Sequence, residues 1–516
     1  MGIPLYFKKI THEFTNIVSD QKPKEQVSRL FLDFNCAIHF CSNQIKSKKL
    51  SLTDSEFEEK LIYECKQYII HLKEYVQPQD LVYVSIDGVV PMAKITQQRK
   101  RRFFSDLKNV GSTEWNSNAI TPGTRFMEKL IDELESFSRA FEFKIIIDAE
   151  RGEGEHKICH FIRNEPSPQG LDIVYGMDAD MILLTMLSKH SDHTYLLREH
   201  VSDPTLLIYM NIKNTKTKIY EQFSAFIHDR NSSGDNKKDN KKDFLIHCYI
   251  LLTFFLGNDF LPNCSYISLR ADGMSHLLDA YKQTFKTTNE HILRDDMYTL
   301  NTTFFQTFIM TLANKEDTEF YEQEKAYYNF HHNNRRKNES DHENYPIKNK
   351  FPRVINSNQE GWRQNYYYHL FLKSPDTSII NTVCKKYVQG FEWLISYYFK
   401  QETEWFWFYP FNYSPTIMDL SNYIMITDLT TIDLETRYTH TIQSIDQLMM
   451  VLPPSSMYIL PDERSKEIMR NSSFGYSHLF PVQFDICTFM KYRLHECGSQ
   501  GLFLNEPIRV DMILGQ

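Results

Sequence analysis

Acidic side chains at short, paired spacings are the strongest chemical signal in this sequence. Glu153 and Glu155 stand one residue apart, and so do Asp178 and Asp180. Further aspartates follow apolar runs or a Gly-Asn turn, at Asp33, Asp87, Asp148 and Asp259. Because clustered carboxylates repel one another, such a set costs stability unless cations neutralise it. Hard oxygen ligands select Mg²⁺ or Mn²⁺, and two such ions about 3.5–4 Å apart can promote in-line cleavage of a phosphodiester.

A single aspartate after a strand has a simpler interpretation, because it often caps the following helix. Asp148 could have that role alone. Helix caps do not require the paired spacings Glu-x-Glu and Asp-x-Asp, so capping does not explain the set as a whole. We therefore predict a site for divalent metal that holds two ions.

A strongly basic run follows the second of these aspartates. Five positive charges lie within nine residues, between Lys94 and Arg102. Four side chains of the run share one face of a helix, at i, i+4, i+7 and i+8: Lys94, Gln98, Arg101 and Arg102. An isolated basic run is usually a solvated helix face or a localisation signal. Beside a cluster of carboxylates, arginine forks and a lysine charge instead predict a pocket for a terminal phosphate.

Short apolar runs that alternate with amphipathic stretches position these residues. Runs at 29–33, 81–87, 144–148 and 173–178 are typical of buried strands, and 56–76 and 123–141 of helices. Strands separated by helices indicate a mostly parallel sheet with helices on both faces. Because ligands bind at the carboxyl ends of such strands, the acidic residues are expected to meet at one edge.

The chain divides into three segments by composition. We predict an α/β domain over 1–270, a variable middle over 271–350, and an aromatic-rich, mainly helical segment over 351–516 that completes the site. Two polar stretches, 229–243 and 316–350, are predicted to be a mobile loop and a surface insertion or linker. Most of the 14% aromatic content is expected to be core.

The overall composition is that of a folded protein without a general attraction to polyanions. The 516 residues are 41% hydrophobic and carry a formal net charge of −8, so nucleic acid would have to bind to a local patch. Nine cysteines without a Cys-x-x-Cys pair argue against a zinc ribbon or a disulfide framework. With no secretory or membrane-spanning segment in the sequence, we expect an intracellular protein, cytoplasmic rather than nuclear.

Several motifs, in this order, resemble the XRN-type 5′→3′ exoribonucleases. The first half of the chain contains Met1-Gly2-Ile-Pro, Leu32-Asp33-Phe-Asn35, Ile86-Asp87-Gly88, Gly152-Glu-Gly-Glu-His-Lys157, Tyr175-Gly-Met-Asp-Ala-Asp180 and Phe255-Leu-Gly-Asn-Asp-Phe-Leu-Pro262. The second half adds Gly390-Phe-Glu-Trp393 and Trp405-Phe-Trp-Phe-Tyr-Pro410. The resemblance therefore covers almost the whole chain.

The resemblance implies a PIN/flap-nuclease-like fold and a set of catalytic metal ligands. These are Asp33, Asp87, Glu153, Glu155, Asp178, Asp180 and Asp259. It also implies a 5′-monophosphate pocket at Lys94, Gln98, Arg101 and Arg102. Two further residues would stack on RNA bases like bookends, and we assign them to His39 and Trp405, with Trp407 as the alternative to Trp405. The implied cofactor is Mg²⁺ or Mn²⁺, as two ions.

The implied reaction is processive 5′→3′ hydrolysis of 5′-monophosphorylated single-stranded RNA to mononucleotides, in RNA decay or processing. One alternative is a structure-specific 5′ DNA nuclease of the flap type. An alternative from another class is a non-catalytic RNA-binding scaffold, which would be expected to lack one of the carboxylates.

Two positions depart from the family pattern, Cys36 after Asn35 and the residues 149–151 before the Glu-x-Glu motif. The length resembles that of the nuclear branch or of a trimmed, viral member.

Overall fold

The computed structural model describes residues 2–108, 114–200, 203–227, 235–334, 355–371, 374–429, 434, 441–470, 479–481, 485–487, 490 and 498–500. The strands are β1 (Val18–Ser19), β2 (Val27–Asp33), β3 (Leu81–Ser85), β4 (Ile145–Asp148), β5 (Leu171–Tyr175), β6 (Thr194–His200), β7 (Asp203–Asn211), β8 (Asp485–Cys487) and β9 (Gly498–Gln500).

The helices are α1 (Tyr6–Glu13), α2 (Phe34–Ser47), α3 (Asp54–Val76), α4 (Met92–Lys108), α5 (Arg125–Ala140), α6 (Gly154–Asn164), α7 (Asp180–Leu187), α8 (Ile212–Ile227), α9 (Asp235–Thr253), α10 (Gly273–Thr288), α11 (Thr302–Ala313), α12 (Glu316–Asn334), α13 (Trp362–Phe371), α14 (Thr377–Leu394), α15 (Ile417–Ile426), α16 (Ser444–Val451) and α17 (Glu463–Arg470). A π-helical turn, Ile395–Lys400, continues α14.

Seven strands form the main sheet in the order β1-β7-β6-β5-β2-β3-β4. Strands β2 to β6 pair in parallel, and β7 and β1 add antiparallel pairs at one side. All residues of β2, β3 and β5 are buried, as expected for central strands covered on both faces. The predicted strands, the helices near 56–76 and 123–141, and the fold class are confirmed. The division of the chain at 270 and 350 stays a prediction.

Side chains alternate between two cores on the two faces of the sheet. Leu30 and Leu32 pack with α2, α3 and α5 on one face. Phe31 belongs to the core on the other face, which includes the buried aromatics Phe255 from the turn after α9 and Trp393 from α14. Because successive side chains of β2 point to opposite faces of the sheet, this one strand contributes to both cores.

The predicted mobile loop at 229–243 is wrong for residues 235–243, which form the first turns of α9; residues 229–234 lie outside the described part. The polar sequence places acidic residues at the helix start and lysines three residues after them, both of which favour a helix.

The predicted surface insertion at 316–350 is wrong for its first half, which forms α12; residues 335–350 lie outside the described part. Glu316 is fully buried and accepts hydrogen bonds from Ile417 N (2.5 Å) and Met418 N (3.1 Å) at the start of α15. Its carboxylate also pairs with Arg363. A charged residue therefore anchors this helix in the interior, which composition alone does not reveal.

Candidate active site

The acidic residues meet at the edge of the sheet where the parallel strands end. Asp33 is the last residue of β2 and lies opposite Ser85, the last residue of β3. Asp87 comes two residues after β3, and Asp178 three residues after β5. The topology thus brings together aspartates that are more than fifty residues apart in sequence.

Helix α6 begins at the same edge and adds the glutamate pair. Glu153 is its N-cap residue, and Glu155 lies in the first turn. The Gly154 amide donates to Asp87 Oδ1 at 2.7 Å, while Ser85 Oγ donates to the Gly154 carbonyl at 2.9 Å. These two bonds fix the start of α6 directly beside β2 and β3.

Asp259 approaches from the turn that follows α9. Asn258 shapes this turn, because its Oδ1 accepts hydrogen bonds from Phe260 N and Leu261 N at 2.9 Å each. Asp180 is the first residue of α7 and is almost fully buried. All seven predicted acidic residues therefore approach one edge from five different elements.

Lys94 lies among these acids rather than on the protein surface. Its Nζ is 2.5 Å from Glu153 Oε2 and 3.0 Å from Asp259 Oδ2. Burial alone would lower the pKa of Lys94, but the carboxylates of Glu153 and Asp259 outweigh it and raise that pKa well above its usual value. The lysine is thus charged and neutralises part of the cluster.

Sequence reasoning missed Tyr397, in the π-helical turn, whose hydroxyl donates to Glu153 Oε1. Its ring lies 3.8 Å from that of His156 and 4.5 Å from that of Trp393, between centroids. The aromatic run at 397–399 was visible in the sequence, but nothing local links it to a glutamate 244 residues away. The C-terminal helices therefore orient a carboxylate of the N-terminal region.

The charges of two acids in the cluster, Asp33 and Asp180, are poorly compensated. Burial, followed by the charges of Asp87 and Asp178, raises the pKa of Asp33 from 3.8 to about 7. Burial, followed by the charge of Asp259, does the same to the pKa of Asp180. Such an arrangement favours the binding of protons or of a cation.

The donor set fits a hard divalent cation. Among the residues described, Asp180 Oδ1 and Glu155 Oε2 are buried without a hydrogen-bond partner. In the side-chain conformations of this structure, no three Asp, Glu, His or Cys residues in the described ranges lie close enough together to hold a metal. Lys94 contributes to this spacing, because its ammonium lies between Glu153 and Asp259. A cation that drew the carboxylates together would satisfy both unpaired oxygens.

Asp148 has a separate role, although it also ends a strand. Its carboxylate accepts from Lys157 Nζ at 2.9 Å and from the Tyr83 hydroxyl. Its Oδ1 also accepts from the amide of Glu150 at 3.0 Å. It therefore stabilises the turn after β4, which is neither metal binding nor the helix capping considered from the sequence.

The four predicted phosphate-binding residues all lie on α4 and differ in their contacts. Lys94 faces the acids, and Gln98 Oε1 accepts from Gln447 Nε2 at 3.3 Å. Arg102 donates to Asn118 Oδ1 (3.1 Å) and to the Ile120 carbonyl (3.2 Å). Arg101 is exposed. The predicted shared face of α4 therefore contains one cation oriented toward the acids and another open to solvent.

The predicted stacking residues lie toward opposite ends of α4. The Trp405 carbonyl accepts from the amide of Met92, the first residue of α4. His39 lies near the other end, where the surrounding protein and then the charges of Arg101 and Arg102 lower its pKa to about 4, although part of the residue faces solvent. Trp407 is 6% exposed, and its ring stacks on Trp393.

A cavity of about 390 Å³ opens beside Glu153. Trp405, Tyr397 and residues of α6 line it, and Arg151 places its guanidinium carbon 4.1 Å from the centroid of the Trp405 ring. The cavity therefore connects the acidic cluster with a partly exposed aromatic ring. None of the helices in the described part of the chain is long and apolar enough to cross a membrane.

Comparison with known proteins gives consistent matches along the chain. Residues 1–200 match the family model for the XRN 5′-3′ exonuclease N-terminus, and residues 239–359 and 348–490 match the Xrn1 helical domain. Human 5′-3′ exoribonuclease 1 is 25% identical over 94% of this chain, and the chain covers 32% of the human protein.

Two fungal relatives show the same pattern. 5′-3′ exoribonuclease 2 of Candida albicans is 23% identical over 94% of this chain and 69% of that protein. 5′-3′ exoribonuclease 1 of Saccharomyces cerevisiae is 30% identical over 57% of this chain and 21% of that protein. The chain thus spans a third or less of the length of the two exoribonuclease 1 relatives. Because consecutive family matches include both the acidic edge and the helices packed against it, the chain belongs to the XRN family.

Proposed function

We propose that this protein is a metal-dependent 5′→3′ exoribonuclease that degrades 5′-monophosphorylated single-stranded RNA to mononucleotides. The observation that carries the proposal is the set of seven carboxylates at one sheet edge, with two buried oxygens among the described residues left unpaired. The names of the curated relatives support RNA as the substrate. They also favour this reading over a flap-type DNA nuclease, and the complete acidic set disfavours a scaffold without activity.

The seven acids would hold the metal, which when bound would activate a water and neutralise charge that develops on the phosphodiester. Tyr397 would keep Glu153 in one orientation through its hydroxyl. Lys94 would add a positive charge next to the metal site, where it could contact a phosphate oxygen once a cation replaces it between the acids. We propose Mg²⁺ or Mn²⁺ as the metal, with two ions bound.

Helix α4 carries residues of both the proposed cleavage site and the proposed pocket for the 5′ phosphate of the RNA. Lys94 and Arg101 are seven residues apart, which corresponds to about 10 Å along a helix. A 5′ phosphate held at Arg101 would therefore lie on the scale of one nucleotide from a phosphodiester at the acids. This spacing supports the proposed release of mononucleotides, and Gln98 and Arg102 would complete the phosphate pocket.

Two aromatic side chains would hold the bases. His39 lies beside the predicted phosphate pocket, and its low pKa keeps the imidazole neutral at physiological pH. Trp405 lines the cavity beside Glu153, whereas the ring of Trp407 is buried, so we favour Trp405 as the second bookend. Stacking tolerates every base and contributes about 1–3 kcal/mol per base, which is appropriate for an enzyme that degrades all sequences.

The test compares matched single-stranded RNA and DNA with 5′-phosphate, 5′-hydroxyl or 5′-triphosphate ends, in Mg²⁺ and then in EDTA. We expect rapid degradation of 5′-phosphate RNA in Mg²⁺, and none in EDTA. Hydroxyl-ended RNA loses charge-assisted bonds of about 1.5–3 kcal/mol each, so its kcat/KM should be at least about tenfold lower. Cleavage of branched DNA in preference to RNA would instead support the flap-nuclease alternative.

The phosphate pocket is tested with Arg101→Ala, for which Arg139→Ala on the exposed surface of α5 is the matched control. Arg101→Ala should abolish most of the discrimination between phosphate and hydroxyl ends, and the control should retain it. A merely basic surface predicts a uniform loss on all substrates and a smaller salt dependence. An unchanged phosphate-to-hydroxyl ratio in Arg101→Ala would contradict the pocket.

A further inference from the structure

Gly2 lies directly against Asp180, and there is no room for a side chain between them. A β-carbon on Gly2 would be 2.3 Å from Asp180 Oδ1, 2.6 Å from its Cγ and 2.8 Å from its amide nitrogen. The φ angle of Gly2 is +49°, a left-handed backbone conformation that residues other than glycine rarely adopt. Both the conformation and the contact therefore require glycine here.

The segment that carries Gly2 cannot move away to relieve such a clash. Ile3 and Tyr6 are 1% and 2% exposed, and both belong to the core that contains Met181 and Ile182 of α7. The Tyr6 amide also bonds to the Ile3 carbonyl at 3.2 Å, which closes the turn that leads into α1. The N-terminal segment and α7 thus pack as one unit, so Gly2 has a fixed position relative to Asp180.

Within the described part of the chain, one oxygen of the Asp180 carboxylate has no hydrogen bond that would orient it. This oxygen, Oδ1, is buried without a hydrogen-bond partner among the described residues. Ala179, the N-cap residue of α7, offers no side-chain bond to this helix start. The backbone of Gly2 is therefore a steric restraint on the side of Oδ1.

We infer that Gly2 is a positioning residue for the metal site, because its bare backbone forms the wall against which the Asp180 carboxylate packs and so limits the orientations from which that carboxylate can reach a cation. The inference rests on the proposed function, in which Asp180 is a metal ligand. Any side chain at position 2 would push Oδ1 from its position. It should therefore weaken the affinity for Mg²⁺ while the rest of the fold stays largely the same.

The test uses Gly2→Ala with Gly361→Ala as the matched control. Gly361 also has a positive φ, +79°, but a β-carbon there would meet only Gln364 Oε1, at 3.7 Å. Both variants carry the backbone strain, and only Gly2→Ala adds the clash. The measurements are the Mg²⁺ concentration for half-maximal thermal stabilisation and that for half-maximal RNA hydrolysis.

We expect Gly2→Ala to raise both Mg²⁺ concentrations by about ten- to a hundredfold, the range found when groups that orient metal ligands are removed. Gly361→Ala should leave both unchanged. Equal Mg²⁺ requirements in Gly2→Ala and the parent would overturn the inference. A parent protein that neither binds Mg²⁺ nor degrades RNA would overturn the proposed function itself.

A double variant covers the case in which Gly2→Ala folds poorly. In an Asp180→Ala background the two clashes with the carboxylate disappear and only the 2.8 Å contact with the amide nitrogen remains, so Gly2→Ala should lower Tm by less than it does in the parent. The Tm decrease caused by Gly361→Ala should be the same in both backgrounds. An equal effect of Gly2→Ala in the two backgrounds would show that Gly2 does not act through Asp180.

Discussion

Buried charged groups have different partners at the two ends of the neighbouring strands β2 and β5. Near their amino ends, Arg29 and Asp172 form a two-pronged ion pair, with Nε to Oδ1 at 2.7 Å and Nη2 to Oδ2 at 2.6 Å. At their carboxyl ends, burial and then the charges of Asp87 and Asp178 raise the pKa of Asp33. Only three residues of β2, between Arg29 and Asp33, thus separate an ion pair from a group of mutually repelling acids.

The charged pair at the amino end has a structural role, whereas the acids at the carboxyl end are suited to bind an ion. An arginine fork satisfies a carboxylate with fixed geometry, so Asp172 is already paired in the folded protein. Among the described residues at the carboxyl end, Lys94 places its ammonium between Glu153 and Asp259, and the charge that it leaves uncompensated is available to a metal. Electrostatic repulsion without metal is the cost of that capacity.

The largest effect is expected when the acidic end loses a ligand. Asp178→Asn or Asp180→Asn keeps the side-chain shape but removes a negative oxygen, so hydrolysis should fall by about a thousandfold or more. RNA binding in EDTA should remain within a few-fold of that of the parent. Steady-state rates and binding measurements test this, and near-normal turnover of either variant in Mg²⁺ would contradict the two-metal site.

A large loss of stability without loss of chemistry is expected at the other end. Arg29→Ala leaves Asp172 buried and unpaired, which should lower the free energy of unfolding by about 3–5 kcal/mol. The double variant Arg29→Met/Asp172→Leu should recover most of this loss, because no uncompensated charge remains. Denaturant unfolding measures both, and kcat of the folded fraction should not change. A large drop in kcat would show that the two ends are coupled.

Lys94→Met tests how far one cation stabilises the acidic end. The variant leaves Glu153 and Asp259 without their ammonium partner, and partial protonation should limit the loss of stability to about 2–3 kcal/mol in EDTA. Mg²⁺ should restore more stability to the variant than to the parent, because the metal replaces the missing charge. Thermal unfolding with and without Mg²⁺ measures this difference. An equal gain in both proteins would show that Lys94 does not compensate the acids.

The smallest expected effect is a dependence of metal-free stability on pH. The pKa values of Asp33 and Asp180 are about 7 in the folded protein and 3.8 in the unfolded chain. Between these values the folded state binds more protons, so stability should fall as pH rises from about 4 to about 7. It should then level off. Unfolding in EDTA tests this; Asp180→Asn or added Mg²⁺ should reduce the slope, and an unchanged slope would contradict the assignment.

Much of the acidic edge was predictable from the sequence. Apolar runs that end in Asp33 and Asp87, or that lead to Asp178, identify parallel strands whose carboxyl ends must lie together. Local periodicity also identified the helix that carries Lys94 and Arg101. These inferences needed only the alternation of strand and helix and the chemistry of carboxylates.

Other features depend on contacts between residues that are far apart in the chain. The hydrogen bond from Tyr397 to Glu153 spans 244 residues. The hydrogen bond from Arg102 to Asn118 depends on the position of the short 3₁₀ turn that contains Asn118. The helical conformation of residues 235–243 was hidden by their polar composition.

The sequence by itself determined which acids end the strands, because side-chain periodicity and strand length are local properties of the chain. Only the tertiary structure decided that Lys94 pairs with Glu153 and Asp259 and that Gly2 abuts Asp180. These contacts arise where separate elements pack together. Their geometry depends on side-chain orientations that no local pattern encodes.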